Sequence, residues 1–120
     1  MSQTDAAPSL DSARIDELTE LLGDDQTLLA LFDDFFADLP PRLEKMHEGL
    51  QTRRAELIDV AAHAVRGTSA NLGAAEVARL ATRLERTAHA QEFETVGPLL
   101  AKLEAEICRL RQRLQTNGLR

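Results

Sequence analysis

Between residues 28 and 50 the apolar side chains fall at Leu28, Phe32, Phe35, Leu39, Leu43, Met46 and Leu50, in steps of 4, 3, 4, 4, 3 and 4. On a helix of about 3.6 residues per turn these steps draw one continuous stripe, which no strand could place on a single face. A second long stripe runs through Val96, Leu100, Leu103, Ile107, Leu110 and Leu114. Three shorter ones occupy Ile15 to Leu22, Leu57 to Leu72 and Val77 to Ala88. Nowhere does the chain alternate apolar and polar residues as a half-buried strand would. Helices with one apolar stripe must bury it against each other. A chain of 120 residues is therefore expected to form one all-α domain, an antiparallel up-down four-helix bundle with an additional short N-terminal helix.

Punctuation refines the boundaries. Residues 1–10 read as a disordered N-terminal lead-in, and 11–117 as the helical bundle domain. Gly23 stops the first helix, and Asp24 or Asp25 can cap the second. Pro40 and Pro41 interrupt the long stripe. Pro41 would clash with the carbonyl of Ala37, which predicts a kink near 38–41 or two helices meeting there, and the unbroken stripe favours the kink. The third helix is expected to begin after Thr52 as N-cap and to end at Gly73 as C′. Pro98 belongs near the start of the last helix, which Asn117-Gly118 ends. Tyr and Trp are absent and there are four Phe, so leucine must supply most of the core volume.

Composition excludes several functions. The net charge is −6 and the pI about 5.0, against the basic surface that nucleic acid requires. Arg109, Arg111 and Arg113 follow Glu104 and Glu106 and read as a solvated helix face. Cys108 is the single cysteine, which excludes an intrachain disulfide, suits a reducing compartment, and leaves a small buried hydrophobe as its default role. No 18-residue apolar run and no signal-peptide pattern is present, so no membrane association and a cytoplasmic location are expected. The six glycines are scattered, with no phosphate-binding loop and hence no ATP site. His47 reads as a surface residue, and His89 closes the fourth helix, where partial positive charge suits the dipole. No His-x-x-x-His or Cys pair seeds a metal site.

The remaining feature is the segment His63-Ala-Val-Arg66-Gly67-Thr-Ser69-Ala70-Asn-Leu72-Gly73. Glycine inside a helix costs about 1 kcal/mol relative to alanine. Accepting that cost one turn from a histidine suggests bare backbone kept for something large to approach. At about 100° per residue, Leu57, Ile58, Ala61, Val65, Thr68 and Leu72 lie more than 100° from His63, on the buried side. Glu56, Asp59, Val60, Arg66, Gly67 and Ala70 lie within about 60° of it. His63 thus faces water, and a neutral imidazole offers a nitrogen lone pair near neutral pH. A phosphoryl group suits such a nucleophile because the N–P bond is labile. Arg66 can offset phosphoryl charge, while Glu56 and Asp59 can orient the ring.

The run HAVRGTSANLGA resembles the signature of histidine-containing phosphotransfer (HPt) domains, approximately His-x-x-Lys/Arg-Gly-Ser/Thr-x-x-x-Leu-Gly-Ala, and the resemblance extends through Leu80, Leu84 and Glu85. It implies that His63 is the phosphoacceptor, Arg66 the phosphoryl-stabilising cation and Gly67 the position giving steric access. Glu85, Ser69, Ala70 and Gly73 are possible supporting residues. The implied function is a phosphocarrier in a two-component phosphorelay. His63 would accept its phosphoryl group from a receiver-domain aspartate or a sensor or hybrid histidine kinase, and pass it to a response-regulator receiver. The receiver brings the Mg²⁺; the chain has no cofactor of its own and is not an enzyme. Leu28, Leu31 and Phe32 are candidates for docking, although core positions suit them better. A monomer is expected. Two alternatives stand beside this. One is an adaptor that binds receivers or kinases without transfer. The other is the phosphoacceptor module of a larger chemotaxis-type kinase, against which stands a chain that starts at Met and stops after its last helix.

Overall fold

The computed structural model describes residues 7–120. Five helices follow one another: α1 (Ser12–Leu22), α2 (Asp25–Thr52), α3 (Ala55–Leu72), α4 (Ala75–His89) and α5 (Phe93–Asn117). Among the described residues there is no strand. Contacts run α2 to α3, α3 to α4, α4 to α5 and α5 back to α2, with none across the diagonals. Connections of two or three residues force neighbours to run antiparallel, so the four longer helices close a ring as expected. α1 lies against α2 and α3 only, beside the α3–α4 turn, where the Asp11 N–H donates to the Gly73 carbonyl at 2.8 Å.

Local chemistry sets the ends. Asp11 caps α1 by accepting from the Arg14 N–H, and Asp24, not Asp25, caps α2 by accepting from Thr27. Pro40 and Pro41 sit inside a single helix, so the alternative of two helices is excluded. Both prolines are exposed, and the buried Phe35, Phe36 and Leu39 before them and Met46 after them hold the element together although two backbone donors are missing. Thr52 ends α2 instead of capping α3; its hydroxyl donates back to the Glu48 carbonyl. Arg53 makes the turn at φ 55, and Arg54 precedes α3 without a side-chain cap. Gly73 ends α3 at φ 83, a left-handed position where a side chain would be strained. Gly118 ends α5.

Leucine is the commonest core residue, around a Phe32, Phe35 and Phe36 cluster with ring centroids 5.5 to 6.4 Å apart. Each fully buried leucine or phenylalanine contributes about 1.5–3 kcal/mol of transfer free energy, so the bundle can carry a few unfavourable residues elsewhere.

Four further expectations need correction. Residues 7–10 are not a free lead-in: the Ala7 N–H donates to Glu76, the Ser9 hydroxyl donates to Glu106, and Leu10 is buried; residues 1–6 lie outside the described part. Cys108 is exposed, because Ile107 takes the inward position and the next residue points about 100° away. Thr68 is exposed and Ser69 buried, since the buried arc of α3 centres nearer Ala62 and Ser69 than Leu57 and Thr68. Glu106 belongs to no solvated face. It is 2% exposed, accepting from Ser9 and from the Arg109 Nε at 2.9 Å each.

Candidate functional site

α3 packs its inner face, Ile58, Ala61, Ala62, Val65, Ser69 and Leu72, into the bundle. Its outer ridge carries Val60, His63, Gly67 and Ala70, all exposed. The His63 side chain is 63% exposed. An alanine-like Cβ built on Gly67 meets nothing within 4 Å, and Gly67 has no positive φ. Neither backbone conformation nor internal packing requires glycine there, so its helix cost of about 1 kcal/mol is unrecovered within the chain.

Across the α3–α4 seam, Glu85 joins His63 and Arg66. Its Oε2 lies 2.8 Å from His63 Nδ1 and its Oε1 accepts from Arg66 Nε at 2.8 Å. Arg66 Nη2 also lies 2.8 Å from His63 Nδ1. One ring nitrogen cannot both donate to a carboxylate and accept from a guanidinium. An ionised Glu85 decides the matter: Nδ1 holds the hydrogen and donates it, and Arg66 supplies proximity and charge. Partial burial pushes the Glu85 carboxyl up. The hydrogen bonds from His63 and Arg66, with the Arg66 charge, outweigh it and hold the pKa below the ordinary 4.5. With Nδ1 occupied, Nε2 is left with a lone pair, on a ring mostly open to water.

The orienting carboxylate is thus Glu85. Of the two acids suggested by spacing on α3, Glu56 pairs with Arg54 Nε at 3.4 Å. Asp59 lines a groove of about 510 Å³ between α3 and α4 with Arg66, Thr82, Glu85, Arg86 and His89. Periodicity along one helix could not reveal a partner on another; the Leu84-Glu85 pair was the sole sequence signal. Ser69 stands apart from the histidine face, its hydroxyl donating to the Val65 carbonyl at 2.6 Å. Gly73 is buried at the helix end, where a Cβ would lie 3.2 Å from Ile15 Cδ1. Leu28 and Phe32 are core, whereas Leu31 is 38% exposed. Val60, 70% exposed, borders a largely apolar groove of about 580 Å³ between α2 and α3, lined also by Pro41 and Leu57. His47 is exposed and pairs with Glu104 at 3.1 Å. Among the described residues no group of three His, Cys, Asp or Glu is placed to hold a metal ion, and no helix is long and apolar enough to cross a membrane.

A helical bundle that holds an exposed histidine between an acid and a base, on a helix ridge with a bare glycine one turn away, is the layout expected of the phosphotransfer family that residues 63–74 resemble. The family model described as the Hpt domain matches residues 30–113, and the chain belongs to that family. Its structure is similar to the crystal structure of histidine-containing phosphotransfer protein B (HptB) from Pseudomonas aeruginosa PAO1. The TM-score is 0.82 at 29% sequence identity, covering 94% of this chain and 96% of that one. No curated protein matches the sequence.

Proposed function

We propose that His63 is the phosphoacceptor and that it works through Nε2. The observation that carries this is the 2.8 Å contact between His63 Nδ1 and Glu85. It commits one ring nitrogen and frees the other. The Nε2 lone pair attacks the phosphorus of an aspartyl phosphate on a receiver domain. The N–P bond forms as the P–O bond to the aspartate breaks, and the aspartate leaves as a carboxylate. No proton has to depart. The ring becomes a cation carrying phosphoryl on Nε2 and hydrogen on Nδ1, and Glu85 balances that charge. The same steps in reverse return the group to a second receiver.

Positioning supplies most of the rate in such a transfer, because the transition state is loose. Arg66 fixes the Glu85 carboxylate at Oε1 and adds positive charge beside the incoming phosphoryl oxygens. Gly67 and Ala70 leave the ridge low, so that a partner's active site can close over the ring. Val60 and Leu31 offer apolar surface to the same partner. The receiver supplies the Mg²⁺, which neutralises phosphoryl charge during transfer. A sensor or hybrid kinase supplies phosphate upstream, and the expected compartment is the cytoplasm.

Incubating the protein with a phosphorylated receiver tests the assignment. Wild type should take up label, and His63→Gln should take up none while remaining folded. Equal labelling of the variant would remove His63 from the reaction. Tight binding without label on wild type would leave the adaptor alternative.

A further inference from the structure

The cation nearest the histidine is already engaged. Arg66 gives its Nε to Glu85 and holds one Nη against the ring. On the other wall of the same groove, one residue after Glu85, stands Arg86. It is exposed and makes no hydrogen bond or ion pair among the described residues. On the helical wheel of α4 it lies about 100° beyond Glu85, away from the core residues Leu80, Leu84 and Ala88 and on the outer rim. Of the carboxylates that line this groove, Glu85 is taken up by His63 and Arg66 and Asp59 makes no ion pair with Arg86; Glu76, the other carboxylate on α4, is held by Arg79 at 2.7 and 2.8 Å. The opposite flank of the histidine ridge is mixed in sign: the α2–α3 groove beside Val60 is lined by Asp38, Arg42, Lys45 and Glu56.

We infer that Arg86 is a specificity-determining residue, a free cation in the groove beside His63 that recognises the acidic rim around a receiver's phosphoaspartate. The inference rests on the phosphoacceptor role of His63. Arg86 gives an acid-rimmed partner an attraction on the α4 side of the ridge, beyond the one that Arg66 provides. Such a charge at the edge of an interface acts on association more than on the chemical step, and salt screens it.

The test compares Arg86→Glu, Arg86→Lys and Arg113→Glu. Arg113 is an exposed residue of α5, the helix that does not touch α3, and its reversal changes the net charge equally. The probe is the receiver domain that labels wild type fastest, loaded from acetyl phosphate. Arg86→Glu should lower kcat/KM by about tenfold at low ionic strength with kcat unchanged, and the deficit should shrink at high salt. Arg86→Lys and Arg113→Glu should stay within about twofold of wild type. Equal loss in Arg113→Glu, a loss independent of salt, a loss confined to kcat, or failure of Arg86→Lys to rescue would each overturn the role of Arg86. If wild type takes no label from any receiver, the phosphocarrier assignment itself fails; labelled wild type with an unimpaired Arg86→Glu overturns Arg86 alone.

Discussion

Gly49 and Gly67 both lie inside helices, and their surroundings are opposite. A Cβ on Gly49 would stand 2.7 Å from Ile58 Cγ1 and 2.9 Å from the Arg54 carbonyl, whereas one on Gly67 would touch nothing within 4 Å. Gly49 lets α2 approach the start of α3 closely, and its cost is returned as packing. Gly67 returns nothing inside the chain. The same residue type serves assembly at one seam and, in the proposed function, access at one ridge, and only the surroundings tell the two apart.

The largest effect that can break this contrast is at the ridge itself. His63→Gln should reduce receiver-dependent labelling to background with the thermal midpoint unchanged, because the ring is exposed. Gly67→Gln should slow transfer by at least about tenfold through obstruction while raising stability by about 0.5–1 kcal/mol, the helix-propensity gain. Transfer kinetics and denaturant titration on one sample check both halves. At the seam the signs reverse. Gly49→Ala should cost about 1–3 kcal/mol by overpacking, since a backbone carbonyl cannot yield as a side chain can. Its folded fraction should transfer at the wild-type rate. A stable Gly49→Ala or a fast Gly67→Gln would erase the distinction.

The smallest expected effect concerns pH. The folded pKa of Glu85 lies below the ordinary 4.5, so its contribution to stability is fully present above that value and is lost as pH falls through the folded one. Glu76 behaves alike, lowered first by the Arg79 hydrogen bond against desolvation, with the Ala7 N–H adding to it. Glu85→Gln should flatten the loss of stability below about pH 4.5 without removing it, because Glu76 still titrates. An unchanged slope in acid denaturation would mean that the triad does not stabilise the fold.

Helices and core were legible because both depend on periodicity within a segment. All five elements, the Gly73 and Gly118 ends and the outward direction of His63 follow from spacing. Misassignments arose where the deciding contact came from elsewhere in the chain. Glu106 looked like one of many surface acids until Ser9, distant in sequence, covered it. Residues 7–10 looked unanchored because their partners are on α4 and α5. For the same reason Glu56 and Asp59 were natural candidates to orient the histidine, while the carboxylate that touches the ring belongs to the next helix. Cys108 and Thr68 show a milder limit: one residue of phase is about 100° of direction, enough to exchange inside for outside.

The account rests on phosphate arriving at Nε2 of His63 while Nδ1 keeps its hydrogen bond to Glu85. ¹⁵N and ³¹P NMR of histidine-labelled protein, loaded by a phosphorylated receiver, reads this directly. One histidine should shift, it should be absent from His63→Gln, and its N–P coupling should report Nε2 with Nδ1 still protonated. Coupling at Nδ1, or at His47 or His89 instead, would contradict it.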